Sequence, residues 1–345
     1  MSSKPNEDNF IFYFYYNVKD DKFEQKDKKD CINEVMVKID EKLFKQLFEK
    51  NNAIYNLVSN IKRPRIYKEN DDYYVNEWRG FMYKDIKPYD EYSEDLRDRV
   101  QIILDMIKEI SCGNNEEFYD AYIKYLSQLC RGIKTEVIIY KKSMQGCGKS
   151  TESDFLMNYV LGSSICTIGN TEPLLSNFNM SLLGQLLVVF EELPTFSEAQ
   201  WSGASSKLKT MTTEKNMLYR GLYKDPIKAE NISNFIINTN VDSIKDSDGR
   251  RIIMMPVNNS RMGDHEYFKN IKTKCFNNEV GEAFYAYMMT IDVDGFYAQQ
   301  HFPETDSKRI AIADYLQSHM KFLKCNYVLK TRSIIATQPT NYRTY

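Results

Sequence analysis

Residues 143–151 read Ser-Met-Gln-Gly-Cys-Gly-Lys-Ser-Thr and follow the apolar run Val137-Ile138-Ile139-Tyr140. This arrangement leaves few folds open. A buried strand hands over to a helix through one tight glycine turn, which is how a βαβ unit of a parallel sheet begins. The turn also carries chemistry. Backbone N–H groups of such a loop point inward and wrap a nucleotide's phosphates. Gln145, Gly146, Cys147, Gly148, Lys149, Ser150 and Thr151 therefore form the candidate nucleotide-binding segment. Lys149 can reach the β- and γ-phosphates, and the Ser150 hydroxyl can hold Mg²⁺, so ATP and Mg²⁺ are the implied cofactors. The usual pattern G-x-x-x-x-G-K-[ST] opens on glycine, whereas Ser143 stands there in this chain and Gly146 lies inside the loop. Serine is small, but the turn loses the freedom that glycine would give it.

With 345 residues the chain has the length of two or three domains. Its 46 basic and 48 acidic residues nearly cancel, so whole-chain charge argues for no partner and any nucleic-acid contact must come from a local basic surface. Seven scattered cysteines without a C-x-x-C pair read as reduced thiols of an intracellular protein. The three histidines lack zinc-ligand spacing, and no structural zinc is expected. No signal peptide is visible at residues 1–5. The longest apolar stretch, around 182–190, is interrupted by Gly184 and Gln185 and is too short to span a bilayer.

Residues 1–90 read as irregular, apart from an aromatic strand over 10–18. Lys62, Arg63, Arg65 and Lys68 make a small basic patch best read as solvated surface. A helix is predicted from the Ser93 cap, with Leu96, Val100, Ile103, Leu104 and Ile107 on one face and Cys112-Gly113-Asn114 as its end. A second runs from about Glu116 to Cys130 and stops at Gly132. From residue 133 strands and helices alternate, which implies a parallel sheet with crossover helices.

Three further segments fit the loop. Leu186-Leu187-Val188-Val189-Phe190-Glu191-Glu192 is an apolar strand ending in two carboxylates, 42 residues after Lys149. In a parallel sheet its carboxyl end emerges beside the loop, where ligands bind. One carboxylate can hold the Mg²⁺ shell and the other can orient or deprotonate water; Glu191 and Glu192 take these roles in that order as a first assignment, which the sequence leaves open. Residues 234–240 form another apolar strand ending in amides, with Asn240 the first candidate for positioning the attacking water and Asn238 the second. Arg251 follows eleven residues later, before the strand Ile252-Ile253-Met254-Met255, and an arginine at a subunit edge can reach a neighbour's γ-phosphate. Between acids and amides, residues 219–223 and 229–235 can pair as a hairpin with Lys224 near its tip. Lys209, Arg220, Lys224 and Lys228 are the nucleic-acid candidates of this basic element.

The order of these motifs between Lys149 and Arg251 resembles superfamily 3 helicases, and more closely the helicase part of poxvirus-type and phage primase-helicases. Asn76-Glu77-Trp78-Arg79-Gly80-Phe81 is similar to an Asn-x-Trp-x-Gly-Phe element of that family. Leu208-Lys209-x-Met-Thr, with Arg220 and Tyr223-Lys224 after it, is similar to the family's hairpin region, and Phe302-Pro303-Glu304-Thr305 with Lys308 to its C-terminal segment. The resemblance covers roughly residues 70–330. It implies Lys149 and Ser150 for nucleotide and Mg²⁺, Glu191 and Glu192 for hydrolysis, Asn240 as sensor and Arg251 as finger. No primase-type cluster of acids and histidines lies upstream, so primase activity is not expected in this chain.

The expected fold is α/β: an AAA+-like P-loop ATPase with a central, mainly parallel sheet, preceded by a helical segment and followed by a helical C-terminal region. The expected divisions are 1–90, a collar-like segment over 91–131, the ATPase over 132–262, and a mainly helical part over 263–345. The expected activity is ATP-driven unwinding of DNA by a ring, a homo-hexamer around single-stranded or forked DNA. It would serve replication of a viral or mobile genome, alongside a separate primase or polymerase, in host cytoplasm or nucleus and away from membranes. Two rivals stay open: a packaging or remodelling translocase that opens no duplex, and a nucleotide-binding module whose ATPase has decayed.

Overall fold

The computed structural model describes residues 13–17, 22–26, 55–64, 66–70, 72–194, 196–222, 226–241, 251–305, 308 and 326. Near the start, β1 (Tyr13–Asn17) pairs antiparallel with β2 (Lys22–Lys26). β3 (Tyr55–Val58), β4 (Ile66–Glu69) and β5 (Asp72–Asn76) form a three-stranded sheet in the order β3-β5-β4. The expectation of an irregular first 90 residues is corrected here: these strands are only four or five residues long and carry charges, so alternation is hard to see in the sequence. Within the expected basic patch, Arg63 is engaged, pairing with Glu69 at 2.7 Å and lying over the Tyr67 ring. Arg65 lies outside the described residues. The Asn76 amide then ties the turn together, accepting from the Asn60 and Trp78 N–H groups and donating to the Asn60 and Arg63 carbonyls.

Two capped helices follow. Ser93 accepts from the Leu96 N–H and opens α1 (Glu94–Met106), whose last turn widens to a π turn over Ile107–Ser111. Asn115 caps α2 (Glu116–Cys130), and Gly132 ends it at a positive φ of 69°. Both helices match the predicted spans.

The next apolar runs build one sheet. β6 (Ile138–Lys142) leads into α3 (Lys149–Phe155); then come β7 (Cys166–Gly169), α4 (Glu172–Leu175), β8 (Leu187–Glu191) and α5 (Glu198–Thr213). A hairpin of β9 (Asn216–Tyr219) and β10 (Ile227–Glu230) precedes β11 (Asn234–Thr239) and β12 (Ile252–Met254). Five strands pair in parallel in the order β12-β6-β11-β8-β7. The runs are apolar on both faces because both faces are covered. Ile139, Val189 and Ile236 pack with α1, α2 and α3; Tyr140, Val188, Phe190, Phe235 and Ile237 pack with α5 and the hairpin. α6 (His265–Cys275), α7 (Asn278–Thr290) and α8 (Ala298–His301) close the first of these layers, with Phe284 and Val280 buried against it.

The hairpin differs from its predicted strands. The pairing sets Tyr219 against Ile227 and Asn216 against Glu230, so the strands lie earlier than expected, and residues 234–235 already belong to β11. The Asn231 amide forces this by donating to the Met211 and Glu214 carbonyls, which turns the chain from β10 into the sheet. Lys209 lies on α5 rather than on the hairpin. Among the described residues, no helix is long and apolar enough to cross a membrane.

Candidate functional site: a cleft at the carboxyl ends of the sheet

Insertion of β11 between β6 and β8 determines the site. It sets Asn238 level with Lys141 on one side and with Glu191 on the other. The carboxyl ends of these strands, together with the loop before α3, line an open cleft of about 500 Å³.

The loop needs two left-handed residues, Gly146 (φ 78°) and Gly148 (φ 95°). At Gly148 a Cβ would come within 2.4 Å of a Phe268 ring carbon, so glycine is required both for the turn and for the close approach of α6. Cys147 is buried, and its thiol donates to Asn259 Oδ1 at 3.0 Å; the same oxygen accepts from the Met144 N–H.

Lys149 is 7% exposed, and its ammonium lies within hydrogen-bond distance of four oxygens, which share its three donors: Ser143 Oγ (2.7 Å), Asn240 Oδ1 (3.0 Å), the Ser143 carbonyl (3.1 Å) and the Met144 carbonyl (3.2 Å). Burial holds its pKa below the usual lysine range, while Cys147, Glu191 and Glu192 pull the other way. The serine that departs from the usual motif thus contributes the shortest of the four contacts.

Across the cleft, the Ser150 hydroxyl donates to Glu191 Oε2 at 2.9 Å. Asn238 Nδ2 donates to Glu191 Oε1 (2.8 Å) and to Ser153 Oγ (2.9 Å), which fixes the carboxylate's orientation. Asn238 Oδ1 is buried without a partner among the described residues. Glu192 is exposed and left-handed (φ 52°), and its N–H donates to the Asn238 carbonyl at 2.9 Å. A non-glycine residue in that region is costly and persists where the surroundings over-determine it. The hydroxyl and carboxylate of Ser150 and Glu191 are hard oxygen donors of the kind Mg²⁺ takes alongside water and phosphate.

Beneath the loop lies a buried ion pair. Lys141 Nζ stands 2.7 Å from Glu152 Oε1, with both side chains almost fully buried. The Tyr122 hydroxyl donates to Glu152 Oε1 at 2.6 Å, and the Ser111 hydroxyl donates to Oε2. Glu152 lies on the first turn of α3, so the carboxylate ties that helix to β6, α2 and the end of α1 at once.

The cleft therefore brings together Lys149, Ser150, Glu191, Glu192 and Asn240 with the loop residues 145–148 and Thr151. Arg251 is elsewhere. It precedes β12 at the amino end of the sheet, where its carbonyl accepts from the Ile138 N–H at 2.7 Å. Arg220 and Lys228 are exposed on or beside the hairpin, and Lys228 faces Leu218 across the strands. Lys224 lies outside the described residues. Sequence reading missed the far wall of the cleft, formed by His265, Phe268, Lys269, Lys272 and Thr273 of α6. Their spacing of three and four residues was the available signal, but nothing in it distinguishes a cleft wall from a solvated helical face.

Several known proteins are similar to the chain. The model of a family of unknown function, DUF5906, matches residues 142–251, about a third of the length. Among solved structures, the A form apo structure of the NrS-1 C-terminal region is 18% identical, with a TM-score of 0.62, covering 89% of this chain and 73% of that one. A second apo structure of that region, residues 305–718, is 20% identical with a TM-score of 0.59 and covers 89% and 73%. At such identity the likeness is one of fold. No curated protein matches the chain.

Proposed function

We propose that the chain is an ATP hydrolase of the superfamily 3 helicase type that drives movement along a nucleic-acid strand, with DNA as the expected polymer. One observation carries the reading. Lysine, hydroxyl, carboxylate and amide, drawn from three different segments, converge on a glycine loop at the carboxyl ends of a parallel sheet. These are the groups that phosphoryl transfer requires: a cation for the β- and γ-phosphates, oxygen ligands for Mg²⁺, and a polar group for water.

In this proposal the loop N–H groups and Lys149 bind the phosphates. Mg²⁺, held by Ser150 and Glu191, would neutralise charge building on the β- and γ-oxygens. Asn238 keeps Glu191 facing Ser150. Glu192, exposed at the cleft edge, takes the proton of the attacking water, and Asn240 orients that water once Lys149 turns from its oxygen to phosphate. Arg251 sits at the opposite end of the sheet from its own cleft, so it can serve only a neighbour's. That requirement is why the proposal includes a ring, with a hexamer as the expected size. Arg220 and Lys228, with Lys224 between them in the sequence, supply the charge to follow a phosphate backbone. The contact between Ser143 and Lys149 favours an active enzyme over a decayed one, because the serine supplies an acceptor to the lysine rather than displacing it.

Unwinding of a forked DNA, measured together with mass in solution with and without ATP, tests the proposal. A ring-sized species that separates strands supports it. A ring that hydrolyses ATP but opens no fork would replace it with the translocase reading, and a monomer under all conditions would remove the shared site.

A further inference from the structure

The two walls of the cleft differ in chemistry. On the β11 and β8 side stand carboxylates and amides: Glu191, Glu192, Asn238 and Asn240. On the other side stands α6, reached from β12 at the opposite flank of β6. Asp264 caps this helix by accepting from the Tyr267 N–H, and its inward face presents His265, Lys269, Lys272 and Thr273. Phe268 packs on Gly148, and the Gly263 N–H donates to the Gly146 carbonyl, so α6 is docked on the loop itself. Lys269 makes no ion pair or hydrogen bond through its ammonium with another described residue. Among the described residues Lys272 has one carboxylate, Asp154 at 3.9 Å, and its ammonium lies 5.8 Å from the centre of the Phe276 ring. Two cations one helical turn apart thus face the cleft with one distant carboxylate between them.

Resting on the hydrolase reading above, the geometry points to α6 as the clamp for the nucleoside end of the bound nucleotide, with Lys269 and Lys272 pairing with its α-phosphate. The direction of the loop assigns the ends. The γ-phosphate belongs on the β11 side, beside Lys149, which donates to Asn240, and beside Glu191, which accepts from Ser150 and Asn238. The nucleotide then runs past the start of α3 toward α6, and the first phosphate after the sugar is the one within reach of these lysines. The α-phosphate is common to ATP and ADP and does not react, so the clamp contributes equal binding to ground state and transition state.

The test compares ATP and ADP affinity, together with kcat for hydrolysis, in wild type, Lys149→Ala, the double variant K269A/K272A and the charge-keeping K269R/K272R. The double alanine variant is expected to lose about tenfold in affinity for both nucleotides, the size of one or two charge-assisted contacts, with kcat at saturation unchanged. Affinity should return in the double arginine variant. Both lysines are at the surface of the helix, so folding should survive, and thermal denaturation of each variant checks this. Unchanged affinity in the alanine variant would overturn the clamp, as would a loss confined to ATP. If wild type binds neither nucleotide, the hydrolase reading itself fails, a result separate from either.

Discussion

Single residues in this cleft act through the partners they hold. Asn238 is the clearest example: its amide nitrogen fixes Glu191, while its carbonyl oxygen is buried without a partner among the described residues. Asn238→Ala is expected to lower ATP turnover by roughly a hundredfold, the scale on which mis-set catalytic groups fail, with nucleotide affinity nearly kept. Steady-state kinetics beside equilibrium nucleotide binding check the split, and equal loss in both would mean that the amide only supports the fold. Glu191 and Lys149 were legible in the sequence because Glu191 ends an apolar run and Lys149 follows the glycine turn that comes after another. The separate roles of Asn238 and Asn240 were not. Both are asparagines at one strand end, and only the pairing of β11 with β6 and β8 shows which side chain meets the carboxylate and which meets the lysine. Ser143 looked like a loss in the sequence for the same reason, since its hydroxyl gains a role only once Lys149 is folded back beside it.

At the scale of elements, the strands were legible because burial on both faces demands unbroken apolar runs, and α1 and α2 because their caps and spacing agree. The hairpin was placed late in the chain because Ala229 and Ile232 continue into the apolar run of β11, hiding the turn at Asn231. That turn is also held by Lys134, whose ammonium donates to the Met211 and Ser233 carbonyls at 3.0 and 3.1 Å. Burial pushes its pKa down to about 7, against an upward pull from Glu136. The sign follows. In the unfolded chain this lysine keeps its proton to about pH 10. Between about pH 7 and pH 10 the unfolded state therefore binds the extra proton, and stability rises with pH; below about pH 7 both states are charged and the burial penalty is fully present. Lys134→Met should flatten the rise in denaturation midpoint between pH 7 and 9. An identical slope in the two proteins would show that the group is not desolvated as described. A helical stretch after residue 263 was expected, but the place of α6 in the cleft was not legible, because a helix with lysines on one face looks the same whether that face meets water or a cleft.

For the whole molecule, the cleft and Arg251 lie at opposite ends of the same parallel sheet. β12 and β6 run side by side with Ile252 level with Ile138, and Lys149 follows the far end of β6. A site that needs both groups must be shared between copies. Under the proposed shared site, Lys149→Ala and Arg251→Ala should each be nearly inactive alone, since removing an arginine finger costs roughly 10³-fold or more. Mixed together they should regain part of the activity. At some interfaces the first variant supplies the arginine and the second supplies the intact loop. Full activity of Arg251→Ala alone, or no recovery on mixing, would contradict a shared site.

The most direct measurement is the steady-state release of phosphate from ATP by wild type and by Lys149→Ala, each with and without single-stranded DNA. Turnover in wild type that rises with DNA and disappears in Lys149→Ala is the expected result, because the ammonium that meets Ser143 and Asn240 would be the one that binds the phosphates. Turnover that is absent from wild type, or equal in the two proteins, would contradict the assignment of this cleft to ATP hydrolysis.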